Sequence, residues 1–136
     1  MPAEQLSLAF EEREVSGATL AARISRAVTV ALRDCGKPRA QVARAMSAFL
    51  GETVSPAMLD AYASVAREGH RISLPRFLAL IHATGDRRLL EMLAAPQGWA
   101  VIERRHLPLI EVAQIREQED ALRRHREILM RQARSA

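Results

Sequence analysis

The strongest constraint on this chain is how its apolar residues are spaced and then stopped. Leu20, Ile24, Ala27, Val28, Ala31 and Leu32 recur at intervals of three and four before Gly36 and Pro38 intervene. Val42, Ala45, Met46, Phe49 and Leu50 repeat the pattern, and Gly51 closes it. Such spacing lays one apolar stripe along a helix, while Gly and Pro end it. Alternation at period two, the mark of a half-buried strand, is almost absent. Ala, Leu and Arg dominate the composition, and all three favour helix. The chain is therefore expected to be all-α.

Start and stop signals divide it further. Thr19 is placed to cap the first helix, and Pro38 falls in the first turn of the second. Ser55 and Pro56 open a third helix, with Met58, Leu59, Tyr62 and Val65 inward and Gly69 at its end. Ser73 and Pro75 open a fourth, whose apolar residues are Phe77, Leu78 and Ile81 before Gly85. Asp86 caps a fifth carrying Leu89, Leu90 and Leu93, which the run from Pro96 to Gly98 breaks. Residues 99–102 read as the one extended segment, a short strand or a strap, with Trp99 as a lid on the core. From about Leu107 a long polar helix runs on. The expected architecture is a flexible acidic arm (1–17), a compact five-helix domain (18–98), an extended connector (99–106) and a C-terminal helix (107–136).

Hydrophobic residues make up 49% of the 136, enough for one compact core and too many for wholesale disorder. Cys35 is the single cysteine, so no internal disulfide can form, and a reducing cytoplasm is the expected setting. No stretch approaches a membrane-spanning length, and the N-terminus lacks the pattern of a signal peptide. His70, His82, His106 and His125 are scattered, without zinc-ligand spacing, and no Gly-rich phosphate loop follows a strand. No cofactor, metal or enzymatic chemistry is expected.

Charge points elsewhere. The chain carries +4 formally, and Lys37 is the only lysine among its cations. Residues 1–17 are net −3, whereas residues 18–54 are net +4. Within that basic region, residues 38–66 outline a variant helix-turn-helix, in which one helix braces and the next enters a DNA groove. Arg39, Gln41 and Arg44 on the first helix, and Arg67 and Arg71 beyond the second, are candidate phosphate contacts. Ser55, Ala57, Asp60, Ala61 and Ser64 form the candidate reading face. That face lacks the Arg, Lys, Asn or Gln that pair with base edges, and Asp60 repels phosphate. A solvated basic face is the alternative. The turn is also irregular. A compact motif places Gly about four residues after the small Ala of its first helix. Here Ser47 follows Ala43, and Gly51 comes one turn later. Either the bracing helix is longer, or the pair is a protein-binding bundle.

The run from Gln41 to Tyr62, with Thr84-Gly85-Asp86-Arg87-Arg88-Leu89-Leu90 after it, resembles small regulatory proteins of temperate phages and prophages. CII-like regulators similarly follow a helix-turn-helix with short helices, and Mu-like prophage proteins carry a segment like Ala57 to Ala61. The resemblance spans roughly residues 38–95. It implies binding of double-stranded DNA and a part in phage transcription or replication control.

Two further segments suggest partners. Gln5-Leu6-Ser7-Leu8-Ala9-Phe10 resembles the QLxLxF peptide by which bacterial replication proteins bind the sliding clamp. In that role Gln5 would anchor by hydrogen bonds, and Leu6, Leu8 and Phe10 would supply apolar contact. The alternative is an arm that folds its Leu and Phe onto its own domain or onto a dimer mate. In the last helix Ile115, Leu122 and Leu129 recur every seven residues. The companion positions are Gln118, His125 and Gln132, so a homodimeric coiled coil with polar layers is expected, with packing along its own domain as the alternative. The pairs Glu119–Arg123, Asp120–Arg124 and Glu127–Arg131 are spaced to support the helix.

Overall fold

The computed structural model describes residues 8–66 and 69–135. Six α-helices are present among them, with no strand. They are α1 (Leu20–Asp34), α2 (Arg39–Leu50), α3 (Pro56–Ala63), α4 (Leu74–Thr84), α5 (Arg88–Ala94) and α6 (Leu107–Ser135). The protein is all-α. It divides into two compact units, Met1–Val101 and Ile102–Ala136.

In the first unit the caps follow the chemistry of the sequence. Thr19, Ser55 and Ser73 each accept a backbone N–H, from Ala22, Met58 and Arg76, at the starts of α1, α3 and α4. Each bond satisfies one donor that the first turn leaves open. Gly51 and Gly85 close α2 and α4 in the left-handed region that favours glycine. Pro38 lies at the cap of α2, just before its first turn. The start of α5 is shifted similarly: Arg87 holds the cap position, while Asp86 Oδ1 still accepts the Arg88 N–H.

The core is built from Val28 of α1, Val42 and Met46 of α2, Leu59 of α3, Leu80 of α4 and Leu89 of α5, all fully buried. α2 packs chiefly on α4, and α1 on α3. Several inward assignments are corrected. Phe49 is 52% exposed and stacks on His82, ring centroids 4.7 Å apart. Leu78, Leu90 and Val65 are exposed, while Leu80 and Ala83 take the inward face of α4. Trp99, expected as a lid, is 71% exposed. Residues 99–102 form no strand; the Val101 N–H is held by Glu91 Oε2 at 2.6 Å, which makes the segment a strap.

The described part of the N-terminal arm is docked rather than loose. Phe10 and Val15 pack against the core, and Glu12–Glu14 form one 3-10 turn. Glu14 accepts from Arg33 Nη2 at 3.2 Å, and the Arg88 guanidinium lies 4.4 Å above the Phe10 ring.

The second unit begins with a 3-10 turn at Arg104–His106, where an extended connector was expected, and continues into α6. No described residue of α6 is buried. Among the described residues, the ion pair within α6 is Asp120–Arg123 at 3.5 Å, three residues apart, in place of the expected four-residue pairs. No helix among the described residues is long and apolar enough to cross a membrane.

Candidate nucleic-acid interface

The helix pair is set by what happens at Ser47. α2 continues one turn past the place where a compact motif would end, because Ser47 replaces glycine there and helix is unbroken to Gly51. The Ser47 hydroxyl donates to the Ala43 carbonyl at 2.7 Å and accepts the Val54 N–H at 2.8 Å. Val54 is buried, so the loop of residues 51–55 is pinned by a side chain in the core and a backbone bond to α2. A buried N–H needs such a partner. The first helix of the pair is therefore longer than in a compact motif.

α3 is shorter than its apolar pattern suggests. It stops at Ala63 rather than near Gly69, and Ser64 is extended. Thr29 Oγ1 on α1 donates to the Ala63 carbonyl at 3.0 Å, which occupies an acceptor at the helix end. Of the candidate reading face, Ala57 and Asp60 are exposed, while Ser55 and Ser64 are half-buried. Ala61 is buried and so cannot reach a ligand. The Ser55 Oγ is engaged as the cap, at 3.2 Å from the Met58 nitrogen.

Asp60 is not a free negative charge. Its Oδ1 accepts from Arg39 Nε at 3.1 Å, which joins the start of α2 to the middle of α3. Two candidate contacts of opposite sign are thus brought together. Nothing in local spacing indicates the pair, since 21 residues separate its members.

Gln41 and Arg44 are exposed on α2, three residues apart and therefore on one face. Arg44 has no ion-pair or hydrogen-bond partner among the described residues. Arg39 and Arg44 point about 140° apart around the helix, from about 100° per residue. They do not form one cluster. Arg71 is exposed in the segment before α4, and Arg67 lies outside the described residues. Arg23 and Arg26 on α1 are exposed and likewise have no partner among the described residues.

Other arginines are committed to the fold. Arg88 bonds Asp86 and Asp34, and these hold its pKa well above the usual guanidinium value despite partial burial. Arg76 bonds the Tyr62 hydroxyl and Glu52, and its pKa is raised chiefly by the tyrosine bond. Arg33 spans Asp34 and Glu14. Its guanidinium lowers the Asp34 carboxyl, against a smaller opposing effect of burial, with Arg88 adding to the lowering.

Leu8 is exposed and Phe10 half-buried on its own domain; Gln5 and Leu6 lie outside the described residues. Ile115, Leu122 and Leu129 are all exposed. Cys35 is half-buried, its thiol 3.2 Å from the Leu32 carbonyl. No group of His, Cys, Asp or Glu among the described residues is arranged to hold a metal. No family model, curated protein or solved structure matches this chain.

Proposed function

We propose that the first unit is a DNA-binding regulatory module of the phage type, which holds duplex DNA mainly by its phosphates through α2 and α3. The observation that carries this reading is the Arg39–Asp60 pair. An unpaired carboxylate on the exposed face of α3 would oppose the DNA backbone. Paired with Arg39, that face is locally neutral, and Arg44, about 140° from Arg39 around α2, adds positive charge on another side of that helix. Ala57 and the Ser55 hydroxyl can approach the duplex without a charge penalty.

The face offers little for reading bases. Bidentate recognition uses Arg, Lys, Asn or Gln, and α3 exposes none. Backbone binding with weak sequence preference is the expected behaviour, and it depends on counterion release. The test is fluorescence anisotropy with a labelled duplex over a range of salt concentrations. Affinity is expected to fall linearly on a log–log plot, and Arg44→Ala to flatten the slope by about 0.9. Absence of binding at low salt overturns the proposal.

A further inference from the structure

We infer that α6 pairs with α6 of a second copy of this chain, antiparallel, with Leu122 at the two-fold axis and two reciprocal ion pairs between Glu119 of one copy and Arg126 of the other. This goes beyond the DNA-binding reading and does not depend on it. The helix is continuous over Leu107–Ser135, yet none of its described residues is buried. Ile115, Leu122 and Leu129 remain exposed at 52%, 69% and 49%. An apolar stripe of this kind needs a covering surface, since helix propensity and short-range ion pairs hold a lone helix only marginally.

The polar flanks specify what that surface is. At about 100° per residue, Ile115, Leu122 and Leu129 lie within about 20° of the Leu122 direction. Arg126 and Glu119 lie about 40° and 60° to one side of it; Gln118 and His125 lie about 40° and 60° to the other. The flanks are thus symmetric about Leu122 in angle, and they are nearly symmetric about it along the axis. A two-fold axis through Leu122 places Ile115 against Leu129 of the second copy. Glu119 then meets Arg126 of the second copy on one side, and Gln118 meets its His125 on the other. Every apolar stripe residue faces an apolar one, and each charged flank residue meets its opposite. Neither Glu119 nor Arg126 has an ion-pair partner among the described residues, so both are available for this contact.

Parallel pairing lacks this match. It brings the Glu119–Arg126 flank of one helix against the Gln118–His125 flank of the other, with no oppositely charged pair. Antiparallel pairing sets the two Leu107 residues about 45 Å apart, from about 1.5 Å per residue. The chains of the two copies then enter the paired helices from opposite ends.

The test uses the full chain with Cys35→Ser, carrying either Ile115→Cys or Leu129→Cys. Mixed in equal amounts and oxidised, the two are expected to cross-link to each other and neither to itself. In the antiparallel pair two residues 115 lie about 21 Å apart along the axis. Sedimentation of the full chain is expected to give a dimer. Glu119→Arg should weaken it about tenfold, by turning two attractive exposed pairs repulsive, and adding Arg126→Glu should restore it. All these positions are exposed, and circular dichroism checks that the helix persists. Self-cross-linking of either cysteine chain, a monomer at all concentrations, or indifference to Glu119→Arg overturns the inference.

Discussion

Asp60→Asn is the most instructive perturbation of the proposed interface. The substitution keeps size and shape but removes the charge that holds Arg39 Nε at 3.1 Å. The side chains of the pair are 38% and 63% exposed, so breaking it should cost less than about 1 kcal/mol of stability. Binding should change more. A unit charge about 4 Å from a phosphate costs about 1 kcal/mol even in bulk water, which is roughly fivefold in affinity. Release of Arg39 adds one cation able to displace a counterion, which steepens the salt slope by about 0.9. Anisotropy at low salt should therefore show Asp60→Asn binding duplex DNA about fivefold or more tightly than wild type. Arg39→Gln added to Asp60→Asn should reverse the change in slope. Unchanged or weaker binding by Asp60→Asn refutes the reasoning, because α3 then does not approach the backbone.

Three other outcomes follow from the same contacts. Ser47→Ala removes the acceptor of the Val54 N–H and should destabilise the first unit by about 1–3 kcal/mol in denaturant titration, against little change for Gln41→Ala. Phe10→Ala should speed amide exchange across Glu12–Glu14, since the ring is what the Arg88 guanidinium covers. Asp34 has a folded pKa lowered chiefly by its bond to Arg33. Its stabilising contribution is thus present above the ordinary carboxylate range and lost as pH falls through the lower folded value. It is reduced by the solvent that reaches this surface group. A carboxyl NMR titration should find Asp34 titrating below an ordinary aspartate, and Asp34→Asn should lessen acid destabilisation.

Local chemistry made much of the fold legible. Thr19, Ser55 and Ser73 act as caps because a short side-chain oxygen before an apolar run can reach only the open N–H groups of the first turn. Gly51 and Gly85 stop helices because glycine enters the left-handed region cheaply. What the sequence hid was long-range. α3 ends at Ala63, where Thr29, 34 residues away, donates to the Ala63 carbonyl. Phe49 matched the apolar stripe of α2 but sits at its edge, where His82 offers a ring to stack on. Trp99 suggested a lid by size alone, yet the strap that carries it is fastened by Glu91 through the Val101 backbone and leaves the ring outside.

The candidate site was legible as a helix pair but not in its electrostatics. Arg39 and Arg44 looked equivalent in composition; their directions around α2 and the ion pair to Asp60 separate them. Phe10 fitted a partner-binding peptide by pattern, while in the fold it rests on its own core. Clamp binding through that residue requires the described arm to lift from Arg88.

The most direct measurement is an amide NMR titration of the full chain with a short duplex at low salt. Shifts are expected to concentrate at Gln41, Arg44, Ser55, Ala57 and Asp60 and to fade as salt rises. Shifts confined to α6 or to the segment around Phe10, or none at all, contradict DNA binding through α2 and α3.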